Sequence, residues 1–296
     1  MTIPKNPITA VYRSTILALT LLGFVVSFHA RAEEAPATPA ATAKPDRAQL
    51  ETQFKQAEAD RAAAKEKTKE RADAAAKAMQ IASDIAWLAF DAGKFDEAAT
   101  WFATSAKLKA ESYVNARGYW EEYEKTAAAE LDGKIDGQIK ELEKQLATAE
   151  ESNREILRKL IHGWEKNRHL NRYNTVTMLQ QLARDNNDAE NLLKYYQQEL
   201  DIRQAEMAYL KKANAPQKEL DEKTAQLATA LERVASGQAD LAQFEKAEKN
   251  GLEALALRRG LPEEMPERKL EESLNSLGRM YAFNIGDLGK ARGYYE

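Results

Sequence analysis

The side chains best suited to metal chemistry are the two histidines at positions 162 and 169. A helix would place His162 and His169 on one face, because they lie seven residues apart, and Glu165 falls between them. Imidazole and carboxylate groups can ligate zinc. The metalloprotease motif, however, has two histidines four residues apart with an adjacent glutamate, and this trio lacks that spacing. We therefore interpret it as a solvated helix face with a Glu165–His169 pair, and we predict no metal.

Other signatures of catalysis are missing from the sequence. Cysteine is absent, which excludes thiol catalysis, disulfides and cysteine–metal sites. No G-x-S-x-G, G-x-x-x-x-G-K-[ST] or G-x-G-x-x-G motif occurs. Acid pairs such as Glu121-Glu122 are expected on exposed helix faces in a chain with 47 acidic residues, and no pattern places two of them across a cleft. We predict that the protein is not an enzyme and has no cofactor.

The composition predicts an all-α protein. No proline occurs between Pro45 and Pro216, and alanine, glutamate, lysine, leucine and glutamine dominate that stretch. These residues favour helices, and such a long proline-free stretch argues against a sandwich, a barrel or a βαβ fold. We expect an array of antiparallel helix hairpins preceded by a long charged helix.

The N-terminus has the pattern of an export signal. Residues 1–14 contain Lys5 and Arg13 but no acid, residues 15–28 are apolar, and Ala30-Arg31-Ala32 follows. This order is typical of a secretory signal peptide over residues 1–32, cleaved after Ala32. The apolar run is shorter than the roughly 20 residues of a membrane-spanning helix, although an uncleaved anchor is the alternative. We expect a periplasmic or extracellular protein.

The remainder of the chain predicts neither a nucleic-acid-binding protein nor a further membrane span. Without Lys5, Arg13 and Arg31 of the signal, acidic residues outnumber basic ones by 47 to 40, whereas binding to phosphates is driven by basic side chains. No second long apolar run occurs.

Two segments separate the signal from the apolar body. Residues 33–45 are rich in alanine and proline and predict an extended tether. Residues 46–79 are charged and alanine-rich, with few large apolar side chains, and predict one solvated lead-in helix supported by acid–base pairs. A coiled coil is the alternative.

From residue 80 onward, small and aromatic residues recur around short turns. Residues 85–102 contain Ala86 and Ala98, which would let two helices approach closely, and Gly93, which would allow the turn between them. Phe95 and Phe102 would fill the space between neighbouring hairpins. This stretch resembles the tetratricopeptide repeat, so the resemblance implies that residues 80–296 form a helical solenoid.

Three further copies of the pattern follow, at 173–203, 225–259 and 273–295, with turns at Asn187, Ala242 and Gly286. The last copy has one extra residue before its turn. Ala242 and Gly286 lie 44 residues apart, nearer to the long repeat of about 42 residues found in kinesin light chains and exported bacterial proteins than to the usual 34. Asn187 and Ala242 stand where the repeat normally has a turn glycine. Residues 113–170 cannot be aligned with the repeat pattern. A generic antiparallel helical array is the alternative.

The resemblance implies a partner-binding site on the first helix of each pair. When the groove positions of the tetratricopeptide repeat are transferred onto this sequence, they fall on Trp87, Asp91, Thr177, Gln181, Arg184, Asn275 and Arg279. Trp87 would anchor an apolar side chain of a peptide or helix from a partner protein, and Arg184 and Arg279 would take a carboxylate or orient a backbone. Ordinary exposed residues at these positions are the alternative.

The C-terminus bears on the choice between two functions. Tyr294 and Tyr295 fall within the second helix of the last pair, where a solenoid normally has a polar cap. We expect a chain that is incomplete at this end. The function expected first is an exported scaffold that binds a protein. The alternative is the N-terminal repeat region of a larger enzyme or signalling protein, with a caspase-like or kinase domain beyond residue 296.

Overall fold

A computed structural model describes residues 46–296, and the predicted signal and tether lie outside that range. Its helices are α1 (Arg47–Ala63), α2 (Lys69–Asp91), α3 (Phe95–Tyr123), α4 (Ala129–Thr148), α5 (Glu151–Asp185), α6 (Ala189–Lys212), α7 (Gln217–Asp240), α8 (Phe244–Arg259), α9 (Leu270–Arg279) and α10 (Leu288–Tyr295). Most helices adjacent in sequence pack against each other as hairpins, whereas α3 runs on into α4 through a π-helical turn. Residues 46–296 contain no strand, which confirms the all-α hairpin array. No helix in this range is both long and apolar enough to cross a membrane.

The four predicted turns share one backbone conformation. Gly93, Asn187, Ala242 and Gly286 all have positive φ, at 74°, 54°, 56° and 82°. In the first three, the amide of the next residue donates to the carbonyl five residues back, as in Lys94 N to Ala89 O at 2.9 Å. This is the Schellman geometry that ends a helix and caps its last carbonyls. The predicted turn positions are therefore confirmed.

Ala242 is the turn residue least suited to this geometry, because its Cβ crowds the backbone at positive φ. We expect Ala242→Gly to raise the free energy of unfolding by about 1 kcal/mol, measured by urea denaturation. Ala213→Gly is the matched control, because Ala213 also ends a helix but has a φ of −76°. The control should lower stability, and a loss in both variants would contradict the strain at Ala242.

The fourth turn explains the extra residue of the last copy. Residues Met280–Ile285 form a π-helical turn between α9 and Gly286. The amide of Asp287 then reaches back six residues, to Tyr281 O at 2.9 Å, instead of five. A π-turn absorbs one inserted residue without ending the helix.

Small buried residues hold each pair together, as the sequence predicted. Ala86 and Ala98 are buried between α2 and α3, and Ala183, Ala247 and Ala291 are buried in the later pairs. Tyr195 and Tyr196 are also buried in apolar clusters.

Residues 113–170, which could not be aligned with the repeat pattern, extend the helices on either side. A π-helical turn over Glu124–Ala128 joins α3 to α4, so the helical path hardly breaks between 95 and 148. Helix α5 is 35 residues long and packs its N-terminal half against α4. This hairpin is fastened by pairs of Arg168 with Asp136 and of Arg172 with Asp132.

The lead-in segment differs from its prediction. It is not one solvated helix, because the chain breaks between α1 and α2, with Lys67 at a φ of 57°. Leu50 and Ala57 of α1 are buried against Ile81 and Ile85 of α2. Helix α1 is thus part of the folded core.

The prediction for Phe95 is also wrong. It does not fill the space between hairpins, since 63% of it is exposed. The α5/α6 pair contacts α3 further along, where Tyr113 Oη donates to Asp188 Oδ2 at 2.5 Å and Lys194 Nζ lies 2.7 Å from Glu121. The N-terminal turns of α3 therefore lie beyond that contact.

Candidate functional site

The seven predicted groove residues are all exposed, on the first helices of three pairs. Trp87 and Asp91 lie on α2, Thr177, Gln181 and Arg184 on α5, and Asn275 and Arg279 on α9. Of these seven, Asn275 and Arg279 line a cleft among the described helices.

That cleft has a volume of about 440 Å³ and lies between the C-terminal half of α7, the start of α8, and α9 with the π-turn that follows it. This volume lies within the range of about 300–1,000 Å³ that is typical of small-molecule sites. We call it the α7/α9 cleft. Its apolar lining consists of Ala235, Ala239, Ala247, Leu277, Met280 and Phe283, together with Gly251.

Polar groups line the same cleft. The Arg279 guanidinium and the Asn275 amide come from α9, and the Ser236 hydroxyl and the Asp240 carboxylate come from α7. Arg279 makes no hydrogen bond or ion pair within residues 46–296, so its donors are available to a ligand. Polar residues are at least as numerous as apolar ones in this lining, and such a mixed surface suits a short stretch of peptide, whose side chains and backbone need both.

Ser236 and Asp240 were missed by the sequence analysis, although a signal was present. Ser236 lies six residues before the turn at Ala242, just as Trp87 and Gln181 lie six residues before theirs. Arg279 lies seven before Gly286, since the π-turn adds one. Applying the same register to α7 would have identified Ser236.

A buried ion pair anchors the wall of the α7/α9 cleft. Arg258 of α8 is 1% exposed, and its Nε and Nη2 donate to the two carboxylate oxygens of Glu232 at 2.8 Å each. Ser273 of α9 donates to the same carboxylate. Three helices that shape the cleft are therefore joined by one carboxylate.

The α5 positions have partners of their own. Arg184 donates to Gln181 Oε1 at 3.1 Å and to the Tyr196 hydroxyl at 3.2 Å, and the Thr177 hydroxyl donates to Tyr173 O at 2.9 Å. Arg184 thus ties α5 to α6. It would have to give up the Tyr196 contact to bind a carboxylate.

Trp87 belongs to an exposed aromatic cluster. Its ring meets those of Phe90 and Phe102 edge-on, with centroids 5.7 and 5.1 Å apart, and Phe90 meets Phe95 at 5.4 Å. We call Trp87, Phe90, Phe95 and Phe102 the aromatic face. Asp91, also exposed, is the last residue of α2 beside it.

The histidine trio is not a solvated face with a Glu165–His169 pair. His169 is buried, and its pKa is lowered chiefly by burial, with Arg168, Arg172 and Lys223 adding to the effect and Glu206 opposing it. Glu165 instead lies 3.5 Å from Arg168, and His162 stacks on Tyr209 with its Nε2 3.2 Å from Glu219. Within residues 46–296, no group of three or more histidine or acidic side chains could hold a metal ion.

Burial of His169 should make stability depend on pH. Above pH 7 the imidazole is neutral in both states. As pH falls below the model-peptide pKa of 6.5, the unfolded chain binds a proton that the folded chain resists, so the free energy of unfolding decreases. We expect the slope to approach, at most, about 1.4 kcal/mol per pH unit.

Denaturation between pH 7 and 5 tests this expectation. His169→Gln should flatten the slope, whereas the control His162→Gln should keep it. An unchanged slope in His169→Gln would assign the pH dependence to other groups.

No protein-family model matches the chain, and no curated protein matches it significantly.

Proposed function

We propose that the protein is an exported, non-catalytic scaffold that holds a peptide segment of a partner protein in the α7/α9 cleft. The observation that carries this proposal is the position of Asn275 and Arg279. The resemblance to tetratricopeptide repeats implied that both would face a partner, and both line a cleft of about 440 Å³ with an available guanidinium.

The common register of the pairs supports the proposal. Trp87, Gln181 and Ser236 occupy the same distance before their turns, and all three are on the first helix of a pair. The resemblance to tetratricopeptide repeats assigns partner binding to this helix. A segment lying in the cleft would meet apolar lining residues from α7, α8 and α9 and polar groups from α7 and α9.

Arg279 would supply the directional contact. A guanidinium presents five donors in a planar fork and can bind a carboxylate or backbone carbonyls. Asn275 lies one helical turn before it and can donate to and accept from a peptide backbone. The opposite wall offers Ser236 and Asp240, which suits the amide groups of the bound segment.

Site-specific photocrosslinking in the source cells tests the proposal. A photoreactive phenylalanine analogue at Asn275 or Ser236 should crosslink a partner protein, whereas the same analogue at Lys249, which is exposed on α8 and does not line the cleft, should not. The crosslink at Asn275 should be lost in Arg279→Ala. Equal crosslinking from Lys249 would contradict the assignment of the cleft.

A further inference from the structure

The aromatic face is a separate feature from the α7/α9 cleft, because it lies on α2 and α3 around the turn at 92–94. Trp87 is 54% exposed, Phe90 46% and Phe95 63%. These rings touch one another, so they form one continuous apolar surface rather than scattered exposed residues. Contiguous exposed apolar patches are often interaction sites, whereas single exposed apolar residues are ordinary.

The packing of the described helices leaves this surface open. Helix α1 packs on another side of the α2/α3 pair, through Phe54 and Trp101. The α5/α6 pair meets α3 at Tyr113 and beyond, where Tyr113 donates to Asp188 and Arg117 Nη1 lies 3.2 Å from it. Within residues 46–296, no helix packs over Phe95.

Carboxylates border the aromatic face. Asp84 and Asp91 lie three residues before and four after Trp87, which places them beside it on α2. Asp96 follows Phe95 at the start of α3. None of these three forms an ion pair within residues 46–296, although Gln80 donates to Asp84 Oδ1 at 3.0 Å. Two cations in this region, Arg47 and Lys94, instead pair with Glu97.

One of these acids, Asp91, is unfavourable for the stability of its own helix. Asp91 is the last residue of α2, and the last turn of α2 has no basic residue. The negative end of the helix dipole disfavours a carboxylate there. Local stability therefore does not account for Asp91, whereas a role at the surface does.

We propose that the aromatic face docks a cationic, apolar segment of a partner protein, in which a bulky apolar side chain is flanked by lysine or arginine. The apolar side chain would contact Trp87 and Phe95. The flanking cations would pair with Asp84, Asp91 and Asp96, and one could lie over the indole ring, the strongest aromatic partner for a cation.

The acidic border argues against two other occupants. A second copy in a two-fold dimer would bring the same carboxylates against each other, because such an interface pairs a patch with itself. An anionic lipid surface attracts basic segments and would be repelled here.

Peptide binding to the full chain tests the proposal. The probe is a fluorescent amphipathic peptide of about 15 residues, built from leucine and lysine, compared with leucine–glutamine and leucine–glutamate versions. We expect the lysine peptide to bind best. Trp87→Ala should weaken its binding about tenfold or more, and the triple variant Asp84→Asn, Asp91→Asn, Asp96→Asn should do the same.

Two further variants test whether peptide binding depends on the acidic border itself, on the overall charge of the protein or on its folding. The control triple variant Glu143→Gln, Glu253→Gln, Glu264→Gln removes the same charge from exposed acids elsewhere and should change binding less than about twofold. Asp91→Asn alone should weaken binding while its melting temperature stays equal or rises, because the substitution removes an unfavourable helix-end charge.

Several results would overturn the proposal. Equal loss in the control triple would show attraction to net charge only, and equal binding of the glutamine peptide would show an apolar site without charge preference. Dimers in ultracentrifugation that Trp87→Ala dissociates would assign the face to a second copy. Binding to vesicles of anionic phospholipid that Trp87→Ala abolishes would assign it to a membrane.

Discussion

Replacing Arg258 with methionine is expected to lower the free energy of unfolding by about 3–5 kcal/mol, because it leaves the carboxylate of Glu232 without its cation. Methionine keeps most of the volume and the helix propensity of arginine, so the loss reports the interactions of the guanidinium. Urea denaturation followed by circular dichroism measures it.

The contacts of Arg258 account for the size of this effect. Besides its two bonds to Glu232, it donates to the Thr229 hydroxyl at 3.0 Å and to the carbonyls of Glu267 and Arg268 at 2.8 and 3.4 Å. These partners use all five donors of a guanidinium. They also fasten the connection between α8 and α9, so the variant should loosen the wall of the α7/α9 cleft.

Arg259→Met is the control. Arg259 is the next residue, lies in the same last turn of α8 and is exposed. Its replacement removes the same charge from the same helix end and should change stability by less than about 0.5 kcal/mol. Similar losses in the two variants would contradict the role of the buried pair.

Replacing Glu206 with leucine is expected to lower the free energy of unfolding by about 3 kcal/mol, because two largely buried cations then lose their counterion. Arg203 lies 3.0 Å and Lys223 2.7 Å from this carboxylate, and their side chains are 13% and 17% exposed. Arg203 also lies over the ring of Tyr173, so it is held in place when Glu206 is removed.

The acid dependence of this pair has a definite sign. Burial opposes the charge of Glu206, but hydrogen bonds from Lys223 and Arg203 and their positive charges outweigh it, so the pKa of Glu206 lies below its usual value. Its contribution is present above the unfolded pKa of about 4.3 and is lost as pH falls through the folded pKa. The loss in Glu206→Leu should therefore shrink at the acid end of the range.

Asp201→Leu is the control on the same helix, because Asp201 is exposed and lies outside this cluster. It should change stability by less than about 0.5 kcal/mol. A loss of about 3 kcal/mol in both variants would place the effect in helix α6 itself rather than in the pairing of Glu206. Adding Lys223→Met to Glu206→Leu should restore part of the stability, since it removes one of the unpaired cations.

The turns could be predicted from sequence because each depends on a local requirement. Gly93 and Gly286 adopt positive φ without strain, and Asn187 tolerates it. Ala242 was recognised only because the pattern of small and apolar residues recurs on either side of it. Small residues such as Ala86 and Ala98 marked the helix contacts in the same way.

The break between α1 and α2 was missed, although Thr68, which caps the N-terminus of α2, is a local signal for it. The turn before Thr68 is stabilised by a distant side chain. Residues 64–68 contain neither glycine nor proline. The amide of Lys67 donates to Asn115 Oδ1 at 2.7 Å, and Arg71 reaches back to Ala64 O at 3.3 Å. Asn115 is buried on α3, 48 residues away, and periodicity gives no sign of that contact.

The candidate site was predicted only in part, for a related reason. A register along one helix indicates which residues face outward, and all seven groove residues do. The register does not indicate how far one helix pair is displaced along its neighbour. That offset is set by the polar contacts of Asp188 with α3 and of Glu121 with α6. The aromatic face is left uncovered, whereas a cleft forms at Arg279.

Affinity for the crosslinked partner, purified and titrated against the full chain, tests the central claim most directly. Arg279→Ala is expected to weaken binding about tenfold or more, because a charged hydrogen-bonding group in the α7/α9 cleft is removed. Arg259→Ala, which removes an exposed arginine that does not line the cleft, should leave the affinity within about twofold. Equal affinities of the wild-type protein and Arg279→Ala would contradict partner binding in this cleft.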